Sequence, residues 1–425
     1  MKRSVSRRTF SKESAAALGA TITAPAVYTA GGSPNERIIV GVMGLSRGRA
    51  LALTFHQQPN TWVKYVCDPD RRRADQTAKE LTNHDGQVQP LVDFRRILDD
   101  HEVDALVVAA PDHWHAPAGI LACAAGKHVY VEKPCSHNPA EGEMLVAAAR
   151  KYNREVQMGN QRRSWPAIRE AMERLQEGVI GKVVVARTWY TGLRGPIGRL
   201  KEAPVPEWLN WDLWQGPAPR VPYREGIVHY NWHWFWHWGT GEIGNNGVHG
   251  IDLARWGLGV DYPDAVTSGG GRLYFNDDQE TPDTQVVTYL FGRKMIIFEC
   301  RNWHRRGFEN QSFGASFFGE QGSLVITEGG YRIYDRQDKL IEEKAGPGGD
   351  AIHIANFLDA IRGNAKLNSE ILEGHKSTLL CHLGAIAHRI GRNLRCRAED
   401  GHILHDEEAA ALWRREYEPG WEPKV

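Results

Sequence analysis

The sequence predicts an α/β protein: an N-terminal doubly wound parallel sheet of the Rossmann type, followed by a C-terminal α+β domain built on a large, open, mostly antiparallel sheet. Three observations predict it. A short apolar run, a glycine-rich turn and a helical pattern follow one another from Ile38 to Phe55. Short apolar runs then alternate with helical patterns as far as Lys151, which is the signature of parallel strands joined by crossover helices. After Met158 that alternation stops, and amphipathic β-type runs take over.

Taken in order, Ile38–Met43 reads as a buried parallel strand and Arg49 to Phe55 as a helix. The turn between them carries Gly41, Gly44 and Gly48, so bare backbone amides and a helix N-terminus are offered where a pyrophosphate can bind. The spacing departs from the usual dinucleotide fingerprint, with Ser46 at the second glycine position and the third glycine one residue early. Gly44, Leu45, Ser46, Arg47 and Gly48 are therefore the candidate phosphate-binding residues. A second strand, Trp62–Cys67, ends at Asp68, placed to accept hydrogen bonds from the adenosine ribose or to cap the next helix. An acid there repels a 2′-phosphate and favours NAD. Arg71, Arg72 and Arg73 follow closely and keep NADP open.

Next come a short helix at Phe94–Leu98, a strand at 104–109, a helix at 115–125, a strand at 127–131 and a helix at 140–151. Two of the strands lead into Ala110-Pro111-Asp112-His113-Trp114-His115 and Val131-Glu132-Lys133-Pro134. Both segments fall at carboxyl ends of parallel strands, where ligands of such sheets bind. Pro111, His113, His115, Glu132 and Lys133 join the cofactor-binding candidates, although a helix start equally uses His113 and His115 as caps. In the second half Val183–Trp189, Val286–Phe291, Met295–Cys300 and Ser323–Thr327 read as strands. The segment from Gly247 to Trp256 reads as a helix with His249 and Asp252 near its start.

The ordered set of Pro111-Asp112-His113, Glu132-Lys133-Pro134, Gly159-Asn160-Gln161-Arg162-Arg163, Gly239 to Asp252 and Leu372-Glu373-Gly374-His375 resembles the Gfo/Idh/MocA family of glucose–fructose oxidoreductase and inositol dehydrogenase-like enzymes. The resemblance implies a nucleotide-binding domain over 36–158 and a substrate and oligomerisation domain over 159–425. It also implies that Lys133 lies beside the nicotinamide. A lysine there can take the hydroxyl proton that leaves as hydride is transferred. His249 is the second catalytic candidate, and Gln161, Arg163, Asn245 and His249 are the candidate substrate contacts. The family often places an Asp four residues before this His. Asn245 stands there instead, and it can orient the imidazole but supplies no carboxylate. The expected activity is oxidation of a secondary hydroxyl of a sugar, glycoside or cyclic polyol with tightly bound NAD. A glycosidase working by oxidation and elimination is the alternative within enzymes, and a non-catalytic sugar-binding module the alternative outside them. The family's open sheet implies a homo-oligomer.

Other features set limits. Lys plus Arg equals Asp plus Glu at 52 each in 425 residues, so no global field attracts nucleic acid or anionic membrane. Six cysteines exclude a disulfide-stapled scaffold. The 15 tryptophans outnumber both the 13 tyrosines and the 12 phenylalanines. They concentrate at Trp208, Trp211 and Trp214 and in Asn231-Trp-His-Trp-Phe-Trp-His-Trp238, where an extended backbone would put four indoles on one face. That face is either a sugar-stacking platform or a buried aromatic belt. His229, His233 and His237 would share a face only in a helix, so no metal site is expected. Residues 1–30 carry Ser6-Arg7-Arg8-Thr9-Phe10 before a weakly apolar, Ala-rich run, which resembles a twin-arginine export signal and implies a periplasmic protein exported already folded.

Overall fold

The computed structural model describes residues 37–82 and 86–425. The export-signal expectation over 1–30 lies outside the described residues. In the first half the chain alternates β1 (Ile38–Met43), α1 (Arg47–His56), β2 (Thr61–Cys67), α2 (Arg71–Leu81), β3 (Gln89–Leu91), α3 (Arg95–Leu98), β4 (Ala105–Val108), α4 (Asp112–Ala124), β5 (His128–Val131), α5 (Pro139–Lys151) and β6 (Val156–Met158). The six strands pair in the order β3-β2-β1-β4-β5-β6, all parallel. Strand order therefore reverses between β1 and β4, opening a crevice at their carboxyl ends. Strands β4 and β5 are short and apolar because both faces are covered, as the continuous burial of Ala105–Val108 shows.

The second half contains α6 (Pro166–Gln176), β7 (Val183–Thr191), α7 (Trp211–Gln215), α8 (Val248–Leu258), β8 (Ala265–Gly271), β9 (Thr284–Phe291), β10 (Lys294–Arg301), β11 (Phe313–Gly319), β12 (Gly322–Thr327), β13 (Gly330–Asp335), β14 (Leu340–Ala345), α9 (Asp350–Ile361), α10 (Ile371–Ile390), β15 (Leu394–Arg395) and α11 (Glu407–Ala411). Its nine strands run β14-β13-β12-β11-β7-β10-β9-β8-β15, antiparallel except for the β7–β10 pair. Helices cover one face. Tyr289 reaches from β9 to the Leu380 carbonyl of α10 at 2.8 Å, and Gly250 lets α8 close onto Thr188 of β7, since a Cβ there would lie 2.0 Å from the Thr188 hydroxyl.

One apolar core runs from Met43, Val108 and Val131 through Ile251 and Phe298 to Leu380, so the two halves share their interior. A second core, under α1, takes Ile354, Phe357 and Leu358 from α9. The chain thus returns at residue 350 to cover the nucleotide-binding half.

The tryptophan-rich segment departs from the extended form expected. Asn231–Trp234 is a 3₁₀ helix, and Trp211, Trp214, Trp232, Trp234 and Trp238 pack into one buried cluster with Phe235 and Tyr223. Rings of this size gain more by stacking on one another, as Trp211 and Trp214 do at 4.8 Å, than by lining up on a solvated face. His229, His233 and His237 do not converge. Each bonds elsewhere, to Asp70 at 3.1 Å, to the Tyr230 carbonyl at 2.5 Å and to the Pro219 carbonyl at 2.8 Å. All six cysteines are buried and unpaired.

Candidate active site

A cavity of about 280 Å³ opens at the carboxyl ends of β1, β4 and β5, and its far wall is the aromatic segment of the second half. Each side is built by a local feature of the sequence. Gly44 takes φ +84°, and a Cβ on it would fall 2.5 Å from the Ala110 nitrogen, so only glycine lets the turn approach the β4 terminus this closely. Leu45, Ser46 and Arg47 carry the turn into α1, whose first turn holds no acid and whose N-cap residue makes no side-chain cap. An anion at that helix start meets free amides.

Asp68, 6% exposed, accepts from the Leu45 and Asp70 amides at 2.8 and 2.9 Å. Burial pushes its carboxyl up to about 6 despite those bonds. Of the three arginines after it, only Arg73 reaches the cavity, where it bonds the Ser46 hydroxyl at 3.1 Å. Arg72 stays on Asp70 and over the Trp208 ring, and Arg71 faces Asp75. The glycine turn, the free helix start and the buried carboxylate after β2 together fit a dinucleotide with an unmodified adenosine ribose.

Near the reacting end, Glu132 accepts from Arg47 at 3.2 Å and from Gln161 at 3.4 Å. Asp350, at the start of α9, holds the other end of the Arg47 guanidinium at 2.6 Å. Lys133 projects its Nζ to the Asn245 carbonyl at 2.7 Å and to the Asn245 Oδ1 at 3.2 Å. Burial drives the Lys133 ammonium below its ordinary pKa, against the opposing pull of Glu132, Asp112 and Glu242. Asn245 lies on a π-turn (Ile243–Gly247) that runs directly into α8. Across from Lys133 stand Trp214, His229, Tyr230, Trp232 and His233.

Of the candidates from sequence, the cavity wall contains Gly44, Leu45, Ser46, Arg47, Asp68, Pro111, His115, Glu132, Lys133 and Asn245. Five others do not line it. Gly48 packs under the turn, with room for a Cβ only at 3.1 Å from that of Ala109, so it serves helix–strand packing. His113 is fully buried and bonds the Trp214 carbonyl at 3.0 Å, which makes it a brace for the aromatic cluster. Gln161 is held against Glu132. Arg163 is bound in a fork to Asp252 through Nε and Nη2, at 2.8–3.0 Å, away from the cavity wall. His249 lies one turn beyond Asn245, its Nδ1 buried without a partner among the described residues and its pKa well below the ordinary value, through burial first and then the charges of Arg162 and Lys133. His115 touches the cavity, but both ring nitrogens face carbonyls, of Pro134 and Ala110, each at 2.6 Å.

Sequence reasoning did not single out Arg162, Asp350 or the wall residue Tyr230, whereas Trp232 belongs to the segment it offered as a stacking platform or buried belt. Arg162 stands between the two residues singled out, over the Phe313 ring at 4.1 Å and near Trp165, with no carboxylate in ion-pair reach among the described residues. Burial pushes it down to about 10. An Arg-Arg pair carries no local signal for which guanidinium is paired.

Comparison with known proteins agrees with this geometry. Residues 37–160 match a model described as an oxidoreductase family with an NAD-binding Rossmann fold, and residues 181–304 match that family's C-terminal alpha/beta domain. The chain is 26% identical over 331 residues to levoglucosan dehydrogenase of Pseudarthrobacter phenanthrenivorans, covering 72% of this chain and 76% of that one. It is 27% identical over 232 residues to the scyllo-inositol 2-dehydrogenase (NAD(+)) of Bacillus subtilis, covering 54% of this chain and 56% of that one. Among solved structures, levoglucosan dehydrogenase in complex with NADH superposes with a TM-score of 0.67 at 18% identity, over 84% of this chain and 99% of that one.

Proposed function

Given that the chain belongs to the Gfo/Idh/MocA oxidoreductase family, with NAD as cofactor and a CH–OH group as the point of attack, we propose that it oxidises a secondary hydroxyl of a sugar, glycoside or cyclic polyol. The observation that carries this reading is Lys133: a half-buried amine at the cavity wall, bonded twice to Asn245 and made more acidic by burial. When bound, NAD supplies the hydride acceptor. The protein's part is to hold the sugar and move one proton. The aromatic wall of Trp214, Tyr230, Trp232 and His233 gives an apolar surface of the kind a sugar ring's C–H face packs against. The Lys133 amine, once neutral, takes the hydroxyl proton as negative charge develops on the substrate oxygen, and Asn245 fixes the direction of its lone pair. Arg47 and Glu132, tied to each other and to Asp350, keep the floor of the site rigid.

The test is denaturing release of nucleotide from the purified protein, followed by a panel of sugars, glycosides and cyclic polyols monitored at the reduced-nicotinamide absorbance. NADH formation with a panel member, lowered roughly 10²–10⁴-fold in Lys133→Met, is the expected result. Free sugar released from a glycoside without added NAD would assign oxidation–elimination. Bound NAD that no panel member reduces would make the chain a binding module instead.

The reading extends to location and assembly. Arg7 and Arg8, with the weak apolar run after them, support export of the folded, cofactor-loaded protein to the periplasm. Replacing both by Lys is expected to leave folded, NAD-loaded protein in the cytoplasm on cell fractionation. Undiminished periplasmic protein would reject the signal. The outer face of the nine-stranded sheet is the surface assigned to a second copy of the chain.

A further inference from the structure

A second cavity, of about 260 Å³, lies between the start of α5, the carboxyl half of α10 and the chain after α11, and it shares no wall residue with the nucleotide cavity. Its polar wall includes Thr240, Asn138, His137, His382, Arg389, Arg414 and Arg415, and no carboxylate lines it. Arg389 and Arg414 have no hydrogen-bonding or ion-pair partner among the described residues. The Arg389 guanidinium rests 5.3 Å from the Trp236 ring centroid, and its only acidic influence is Glu280. Arg415 gives Nε and Nη2 to Glu141 and to the His113 carbonyl, but its Nη1 is buried without a partner.

Two further atoms lack partners among the described residues. Asn138, 5% exposed, accepts from the Glu141 amide through Oδ1, which leaves its Nδ2 donor unmatched. His137 donates from Nε2 to the Trp236 carbonyl at 3.0 Å, so its neutral ring presents a bare lone pair at the unmatched Nδ1. Arg389 and Arg414 stand in a wall without an acid, while the charge of Arg415 is met by Glu141 behind it; guanidinium forks match carboxylate and phosphate. The unmatched Asn138 and His137 atoms lie beneath the surface of this wall rather than on it.

We propose that this cavity binds a small oxyanion, a carboxylate or a phosphate, at a site separate from the nucleotide cavity. One bond links the two. Thr240, in the wall of the second cavity, donates to Asp112 of the first at 2.6 Å, and the chain runs from there into the π-turn that holds Asn245.

Calorimetric titration of the NAD-loaded protein at low salt tests it, with D-gluconate and D-glucose 6-phosphate in separate arms and D-glucose as the neutral control. At least one anion is expected to bind at least about tenfold more tightly than glucose, and the arm that responds assigns carboxylate or phosphate. Arg389→Ala with Arg414→Ala, two changes to exposed side chains, should weaken that binding about tenfold or more with NAD content and melting temperature unchanged. Lys133→Met should bind the anion as the wild type does. No binding of either anion, equal binding of glucose, an unaffected arginine double variant, or loss of binding in Lys133→Met would each overturn the site.

Discussion

If Asp68 takes the ribose as proposed, cofactor binding is tied to pH through a single carboxyl. Its folded pKa of about 6 lies above the 3.8 of an unperturbed Asp, so between those values the folded protein holds a proton that the unfolded chain releases. Its contribution to stability without cofactor therefore grows as pH falls across that window and is lost as pH rises through about 6. NAD binding runs the other way, because the ribose hydroxyls need an ionised acceptor. Affinity for NAD is expected to fall below about pH 6, with Asp68→Asn binding weakly and without that pH dependence. An NAD affinity that stays flat from pH 7 to 5 in the wild type would remove Asp68 from the ribose. Asn245 supplies the second residue-scale test. Its Oδ1 is 3.2 Å from the Lys133 Nζ, so Asn245→Asp places an anion against the amine. An opposite charge this close raises an amine's pKa by about 1–3 units, and the acid limb of the rate profile should move up by that much. The maximal rate at high pH should change only a few-fold. An unmoved limb together with loss of all turnover in His249→Ala would transfer the proton to His249.

Between elements, the Arg163–Asp252 pair joins the 3₁₀ turn at Gln161–Ser164 to α8, and Ser377 of α10 donates to the same carboxylate at 2.6 Å. Arg255 in turn reaches Ser377 at 2.9 Å, so one polar chain crosses the buried contact of α8 with α10. Arg163→Met leaves the buried Asp252 without its counter-charge and should cost about 3–5 kcal/mol in denaturant unfolding. The Michaelis constant of the surviving folded enzyme should stay within a few-fold. A large rise in KM with unchanged stability would restore Arg163 to the substrate. Here the limit of the sequence is physical. Strands β1, β2, β4 and β5 and helices α1, α4 and α5 were legible because apolar period and punctuation are local properties. Lys133 and Asp68 were legible because a strand's carboxyl end fixes where the next residue points. The partner of Arg163 is 89 residues away, and α9 covers α1 from some 300 residues downstream. Neither contact leaves a mark in the local pattern. The alternating Trp residues gave a period-2 signal that ring-on-ring packing overrode.

At the scale of the whole molecule, the nine-stranded sheet has helices on one face only. Inward-facing Gln285, Val287 and Tyr289 of β9 are buried, whereas Val286 and Leu290, pointing the other way, are 41% and 43% exposed, and Phe318 of β11 is 46% exposed. Between these apolar groups run Arg187, Glu299 and Arg301, paired at 3.0 Å, so the same face carries both signs of charge. A two-fold contact sets each patch against its own copy, and a face holding apolar groups together with both charges can complement itself. An exposed apolar sheet face of this kind is otherwise an aggregation hazard. Val286→Lys with Leu290→Lys puts two ammonium groups at the centre of that contact, where like charges from the two copies oppose each other. Light scattering is expected to show the wild type as an oligomer and the double variant as a monomer that retains its NAD, since the nucleotide cavity draws no wall from these strands. A wild type that runs as a monomer, or a double variant with unchanged mass, would place the second copy elsewhere or dispense with it.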